Sequence, residues 1–108
     1  YNQFPNWSYA FYLTDQDNNI IPAQKLNMTG GGIGHLYYSI AQHKNIKIGN
    51  GVEDKKDLAV IGNAMLNEIL KRNTQQIEFK KLSLYRKYFY CNGDSIINTE
   101  TLMYEKGF

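Results

Sequence analysis

The chain has 108 residues, of which 43% are hydrophobic and 20% charged, and its formal net charge is +2. This length suits one domain with a buried core, and the near-average composition excludes intrinsic disorder. No apolar run approaches the roughly 18 residues that a membrane-spanning helix needs, and the small charge does not by itself predict nucleic-acid binding. We therefore predict a single domain over residues 1–108.

The numbers of cysteine and tyrosine residues narrow the class of protein further. Cys91 is the single cysteine, which excludes an intrachain disulfide and a zinc site built from thiolates. One cysteine favours a reducing compartment such as the cytoplasm, whereas a start at Tyr1 also fits a processed product, an extracytoplasmic domain or part of a longer protein. The nine tyrosines are typical of strand surfaces, pocket walls and interfaces.

The N-terminal region is rich in β-favouring residues. Residues 7–14 (WSYAFYLT) are dense in aromatic side chains, and residues 19–28 follow after the turn formers DQDNN. This pattern predicts an N-terminal hairpin. Pro22 cannot donate a hydrogen bond to a neighbouring strand, so it should lie on an outward edge or at a bulge.

A glycine-rich segment, TGGGIG at residues 29–34, precedes a predicted short helix at Ile33 to His43. Such a turn can present backbone N–H groups to an anion, or it can simply be a flexible connection or permit a close crossing. Its spacing matches neither GxGxxG nor the P-loop. The candidate anion-binding residues are Gly30, Gly31, Gly32 and Gly34.

The clearest pattern in the chain predicts an amphipathic helix from Asp54 to Arg72. Acidic residues at its start and basic residues at its end suit the helix dipole, and Glu68 can reach Arg72 at i,i+4. Gly62 costs about 1 kcal/mol relative to Ala in mid-helix, so we expect a neighbouring strand or backbone to pass close to it. The predicted core comprises Leu58, Ile61, Met65, Ile69, Phe11, Leu13, Leu84 and Ile97.

Two further strands are predicted at residues 76–91 and 95–104, with a bulge or bend at Lys80-Lys81. An Asn92-Gly93 turn between them would place Tyr88 opposite Ile97 and Leu84 opposite Thr101. The predicted fold class is α+β, with an antiparallel sheet, made of the N-terminal hairpin and the C-terminal strands, packed against one long and one short helix.

Residue patterns typical of catalytic and metal sites are weak in this sequence. His35 and His43 would lie about 12 Å apart along one helix, which is too far for a shared metal. Cys91 lies beside a hairpin turn and has no helix N-terminus near it to lower its pKa. We predict no catalytic residue, metal or cofactor, and whether the chain is an enzyme stays open, with the balance against it.

The basic and aromatic run from Lys80 to Tyr90 is the best candidate binding surface, although it also fits an ordinary strand with solvated cations. Which face of this strand is buried stays open, because a shift of one residue exchanges the two sets of side chains. The candidate ligand-binding or partner-binding residues are Tyr12, Tyr37, Tyr85, Arg86 and Tyr88.

Two family resemblances bear on function. TGGGIG and the terminal YEKGF resemble fragments of the acyl-CoA-binding signatures of GNAT acetyltransferases, which implies a pyrophosphate at the glycine turn and a helix that begins at Gly34. Thr29 stands where that family usually has Arg or Gln. YAFYLTDQDNNII resembles the first hairpin of PAS and Cache sensor domains, with Asn18-Asn19 in place of the usual glycine. That resemblance implies helices over a sheet with a ligand pocket between them.

The sequence thus predicts a non-catalytic binding domain of one of two kinds. A sensor would bind a small molecule in an enclosed cavity lined by Tyr12, Tyr37 and Tyr88, with Arg86 orienting a polar group. An interaction module would bind another protein through an exposed patch around Tyr85, Arg86 and Tyr88. The element order favours the sensor. The alternative is a small enzyme, either a secreted nuclease or toxin domain or an acyl-CoA-dependent acetyltransferase. A nucleic-acid partner and an oligomer stay open.

Overall fold

The computed structural model describes residues 6–28, 32–49, 51, 53–73 and 78–108. Three strands form an antiparallel sheet in the order β1-β2-β3, and two helices pack on one of its faces. This arrangement confirms the predicted α+β class. The elements are β1 (Asn6–Thr14), α1 (Gly32–His43), α2 (Lys55–Arg72), β2 (Lys81–Asn92) and β3 (Ser95–Gly107).

The long helix α2 forms where its pattern predicts. Asp54 is the N-cap and its side chain accepts a hydrogen bond from the Lys56 N–H at 2.9 Å. Glu68 pairs with Arg72 at 3.4 Å in the last turns. A Cβ on Gly62 would lie 2.7 Å from the Cβ of Tyr104 on β3, which confirms the predicted close approach of a strand.

The N-terminal hairpin is much shorter than predicted. The DQDNN turn forms, with the Asp15 carboxylate accepting the N–H of Asn19 at 2.9 Å, but residues 19–28 contribute only a single bridge, Thr14 to Ile20. Pro22 follows at once and has no N–H to continue the pairing, and a 3-10 turn begins after it at Ala23–Lys25. β1 is instead built into the sheet by β2.

The β2-β3 hairpin is shifted by two residues from the predicted register. Asn92 pairs with Ser95, so Gly93 and Asp94 form the turn, and Gly93 adopts the positive φ of 63° that the first position of a type II′ turn requires. The shift, together with one extra residue on β3 beyond Leu102, makes two predicted contacts wrong. Tyr88 lies opposite Thr99, and Leu84 lies opposite Tyr104.

The chain bends at Lys80, as the predicted bulge or bend at Lys80-Lys81 allows, and the bulge of the sheet lies on β3. The pairing slips between Leu84 and Tyr85, which leaves Met103 as the extra residue. Met103 is buried, and together with Tyr104 it forms the surface against which Gly62 packs. The predicted strand 76–91 begins at Lys81 among the described residues, while positions 76 and 77 lie outside them.

The core lies between the helices and the inner face of the sheet. The predicted burial of Leu58, Ile61, Met65, Ile69, Leu13 and Leu84 is confirmed, and Phe11 is partly buried against this cluster. Ile97 is wrong as a core residue: it is 50% exposed, because it lies near the hairpin tip and away from the core. Within the described ranges, neither helix has the length and apolarity to cross a membrane.

Candidate functional site

Strand alternation divides the predicted binding residues between the two faces of the sheet. Arg86 and Tyr88 point toward the helices and are buried, and the hydroxyl of Tyr37 on α1 accepts a hydrogen bond from Arg86. Tyr12 and Tyr85 are cross-strand neighbours on the opposite face. The five residues therefore do not form one site: three belong to an inner cluster, and two belong to an outer surface.

The inner cluster is centred on Arg86, whose side chain is 1% exposed. Its Nη1 lies 3.1 Å from Oε2 of Glu53 and donates to the hydroxyl of Tyr37 at 3.2 Å. Its Nη2 donates to the carbonyl of Gly51 at 3.3 Å, and the guanidinium carbon lies 4.7 Å from the ring centre of Tyr9. A buried arginine is thus held by an anion, a hydroxyl, a carbonyl and an aromatic face.

The carboxylate of Glu53 is equally enclosed, with its side chain 4% exposed. Its Oε1 accepts from the hydroxyl of Tyr9 at 2.6 Å and from the N–H of Gly49 at 3.1 Å. Burial alone would raise the pKa of Glu53, but these hydrogen bonds and the charge of Arg86 outweigh it and hold that pKa below its usual value. The carboxylate therefore stays ionised in the fold.

Tyr9 and Tyr37, the two tyrosines that contact the Arg86 guanidinium, are held in the neutral form. Burial and the hydrogen bond to Glu53 raise the pKa of Tyr9. Burial raises the pKa of Tyr37 as well, although the neighbouring Arg86 opposes the rise. The two hydroxyls consequently act as fixed hydrogen-bonding groups rather than as acids near neutral pH.

The loop before α2 approaches the sheet closely because it contains glycine. Gly51 has a φ of 76°, and a Cβ there would lie 2.5 Å from the ring of Tyr88. This close packing brings the Gly51 carbonyl to Arg86 and its N–H within 3.3 Å of the Tyr9 hydroxyl. The loop backbone therefore supplies both a donor and an acceptor to the cluster.

Aromatic contacts fill the space that the sensor interpretation reserved for a ligand. The ring centres of Tyr9 and Tyr37 are 5.4 Å apart, and those of Tyr9 and Tyr88 are also 5.4 Å apart. Phe11 packs on Tyr37 at 4.8 Å. Of the side chains expected to line a cavity, Tyr37 and Tyr88 each contact Tyr9, and Tyr12 lies on the other face of the sheet.

The outer surface is built on a stacked tyrosine pair. The rings of Tyr12 and Tyr85 are nearly parallel, at 10°, with their centres 5.0 Å apart. The hydroxyl of Tyr12 donates to Oε2 of Glu100 at 2.5 Å, and Nζ of Lys87 lies 5.5 Å from the ring centre of Tyr12. Local desolvation and the bond to Glu100 raise the pKa of Tyr12 to about 12.

The register places the outer side chains in rows across the strands. Tyr12, Tyr85 and Leu102 form one row, and Leu102 is 46% exposed. Among the described residues no helix packs over these rows, because both helices lie on the inner face. We define the outer face by the following side chains: Ser8, Ala10, Tyr12, Tyr85, Lys87, Phe89, Cys91, Ile96, Asn98, Glu100 and Leu102.

A third feature is an open groove of about 790 Å³ between α1 and α2. Arg72, on one side of the groove, forms an ion pair with Glu68, so one of the cations that line the groove is already partly neutralised. His43 lines this groove, whereas His35 is exposed on the first turns of α1. The groove is lined by Leu36, Ser39, Ile40, Gln42, His43, Lys44, Ala64, Glu68 and Arg72.

The glycine segment is only partly described. Gly30 and Gly31 lie outside the described residues, as does Thr29. Gly32 begins α1 with a φ of 74°, two residues before the helix start that the acetyltransferase resemblance implies, and a Cβ on Gly34 would lie 3.9 Å from the ring of Phe11. In the described part of the chain, no group of three or more His, Cys, Asp or Glu residues is placed to hold a metal ion.

Sequence reasoning missed Glu53 and Tyr9. Glu53 precedes the N-cap of α2, where the helix dipole already accounts for an acidic residue, so its pairing with Arg86 had no separate signal. Tyr9 could be placed on the same face as Phe11 and Leu13 by alternation, but its hydroxyl partner could not be read from the pattern.

Comparison of the chain with protein-family models, with curated proteins and with solved structures finds no match. The PAS, Cache and acetyltransferase resemblances therefore stay predictions.

Proposed function

We propose that this chain is a protein-interaction module that binds another protein through the outer face. The observation that carries the proposal is the stacked Tyr12–Tyr85 pair, flanked by Leu102 at 46% exposure on a face that no described helix covers. Tyrosine and exposed aliphatic side chains in contiguous rows are the composition that protein interfaces favour.

The outer face is also ordered in advance of binding. Tyr12 is fixed by its stacking on Tyr85, by its hydrogen bond to Glu100 and by Lys87 above its ring. Side chains that are already immobilised lose little rotamer entropy on association, which is a cost of about 0.5–1.5 kcal/mol for each mobile side chain. Rigid tyrosines on a sheet therefore suit recognition of a complementary protein surface.

The inner cluster supports the interaction module rather than the sensor with an internal pocket. Its charged groups are matched to each other, with Arg86 bonded to Glu53, Tyr37 and Gly51. A ligand entering there would have to break a buried ion pair, which is costly. We assign this cluster the role of fixing α1 and the loop before α2 to the sheet.

A second candidate function is small-molecule binding in the groove between α1 and α2. Its volume of about 790 Å³ lies within the roughly 300–1,000 Å³ that ligand pockets occupy. In this candidate function the chain is still a sensor, but its ligand binds in the groove and not in the inner cluster.

The test of the proposed function is a photo-crosslinking residue introduced at Ala10, which is exposed on the outer face. The matched control carries the same residue at Asn63, which is exposed on α2. We expect a protein adduct of defined mass from position 10 that is lost in a Leu102→Asp background, and none from position 63. Equal labelling from both positions, or none from position 10, contradicts the proposal.

The groove candidate is tested separately by native mass spectrometry of the purified chain. Ala64→Phe fills the groove from α2 and leaves the outer face unchanged. A small molecule that is retained by the parent chain and lost from Ala64→Phe, without any adduct at position 10, would favour the groove over the outer face.

A further inference from the structure

We infer that the protein bound at the outer face is a second copy of this chain, in a face-to-face dimer whose twofold axis runs parallel to the strands between β2 and β3. The inference rests on the proposed function and specifies the partner. Two copies of one face make an isologous interface, which requires that the face be complementary to itself.

The rows of the outer face meet this requirement. Tyr85 pairs with Leu102 across the strands, Lys87 pairs with Glu100, and Phe89 pairs with Asn98. A rotation about an axis between β2 and β3 places each β2 side chain over the β3 side chain of its own row. Tyr85 of one copy then lies over Leu102 of the other, and an aromatic ring meets an aliphatic side chain.

The charges decide between the possible axes. Lys87 and Glu100 are the two charged side chains of the four rows defined above, and they stand side by side in one row. Beyond these rows the same face continues to Lys81 and Glu105, which pair with each other at 3.6 Å. An axis parallel to the strands brings Lys87 over Glu100 of the second copy, twice in each dimer. An axis lying along this row, perpendicular to the strands, would instead bring Lys87 over Lys87, which is repulsive.

The size of the face predicts weak, reversible association. This axis brings β2 and β3 of each copy face to face and leaves β1 at the margin of the overlap. With strands ~4.8 Å apart and alternate residues ~7 Å apart, two strands and four rows cover about 270 Å² in projection. A stable interface buries about 800 Å² on each partner. We therefore expect a dimer that dissociates on dilution rather than an obligate one.

The experiment is sedimentation equilibrium of the full chain over about 1 μM to 1 mM. For the parent we expect a weight-average mass that rises toward twice the chain mass. Lys87→Glu and Glu100→Lys each place like charges over one another, so each should weaken self-association by at least about tenfold. Lys55→Glu, an exposed charge reversal on α2, is the matched control and should leave the mass unchanged.

The decisive sample is an equimolar mixture of the Lys87→Glu and Glu100→Lys chains. One chain then carries two carboxylates in the central row and the other carries two ammonium groups, so every facing pair is opposite in charge. We expect the mixture to associate at least as tightly as the parent. An effect within one copy cannot produce this result, because each chain keeps its own like charges.

The outcomes separate this inference from the proposed function. Should either charge variant fail to fold, as judged by its circular dichroism, Leu102→Asp replaces it and must lower the mass. A parent that stays monomeric throughout, or a mixture no tighter than its components, overturns the dimer. In that case, a crosslinked adduct between position 10 and a different protein would still support the interaction module. The absence of any adduct would contradict both the dimer and the interaction module.

Discussion

Each face of the sheet carries a tyrosine, a carboxylate and a cation in contact, but the two sets have different surroundings. On the inner face, Tyr9 donates to a carboxylate and lies under the guanidinium of Arg86. On the outer face, Tyr12 donates to a carboxylate and lies under the ammonium of Lys87, the next residue along the chain. The inner set is enclosed and the outer set is in contact with solvent.

The difference shows that burial, rather than the list of contacts, determines what such a set contributes. Breaking a buried ion pair costs roughly 3–5 kcal/mol, because the remaining charge is left without a partner. An exposed pair contributes about 0–1 kcal/mol, since water replaces the lost partner. The inner set therefore holds the fold together, whereas the outer set contributes little to its stability.

The largest expected effect separates the two cations. Arg86→Met leaves Glu53 ionised and buried, so we expect the free energy of unfolding to fall by about 3–5 kcal/mol. Lys87→Met, the matched control, should change it by less than about 0.5 kcal/mol. Urea unfolding followed by circular dichroism measures both values, and equal losses would contradict the assignment of the faces. The double variant Arg86→Met with Glu53→Met should recover part of the loss.

The close packing of α2 on β3 predicts the next largest effect. Gly62→Ala would normally stabilise a helix by about 1 kcal/mol, but here the new methyl would lie 2.7 Å from Tyr104 and 3.0 Å from the Met103 backbone. We expect a net loss of about 1–3 kcal/mol from overpacking. Ala10→Leu on the uncovered face should cost less than about 0.5 kcal/mol. Thermal unfolding of the two variants checks this contrast, and a stabilised Gly62→Ala would refute it.

Removing the hydroxyl of Tyr9 or of Tyr12 should have a smaller effect on stability, and it compares the same chemical change on the two faces. Tyr9→Phe removes a donor from the buried Glu53 and an acceptor from the N–H groups of Gly49 and Gly51, so we expect a loss of about 1.5–3 kcal/mol. Tyr12→Phe removes a bond to the exposed Glu100 and should stay within about 0.5 kcal/mol of the parent. Denaturant midpoints of the two single variants report the difference directly.

The pH dependence of stability gives the smallest effect. The pKa of Glu53 is lower in the fold than its ordinary value of 4.5, so the stability that it contributes is complete above about pH 4.5 and is lost as pH falls through the lowered folded value. Tyr9 acts in the opposite sense, because its raised pKa removes stability as pH rises above about 10. Unfolding free energies measured across the acid range should fall less steeply in Glu53→Gln, and an unchanged slope would contradict this account.

Local patterns predicted most of the fold. The apolar repeat and the charges at its ends located α2 and its N-cap region, and the glycine at position 62 correctly indicated a passing strand. The N-terminal turn was also predicted correctly. The second strand after it was not formed, because Pro22 ends the pairing that the preceding aliphatic residues favour. These successes depend on signals within a few residues of each other.

The candidate site was harder to predict because it depends on distant pairings. Glu53 and Arg86 are joined across two elements, and each had an adequate local explanation, one as a helix-end anion and the other as a strand cation. The assignment of Arg86 and Tyr85 to opposite faces requires knowing which side of β2 meets the helices. The turn at Gly93-Asp94 in place of Asn92-Gly93 moved the cross-strand contacts by two residues.

The position of β1 in the sheet has a consequence for synthesis of the chain. Thr14 is paired with Ser83, and no closer strand is available to β1 among the described residues. During translation β1 therefore has no partner strand until β2 is synthesised about 70 residues later. At about 5–20 residues per second this delay is roughly 4–14 s. Throughout that interval an aromatic strand stays unpaired, which leaves this segment prone to aggregation.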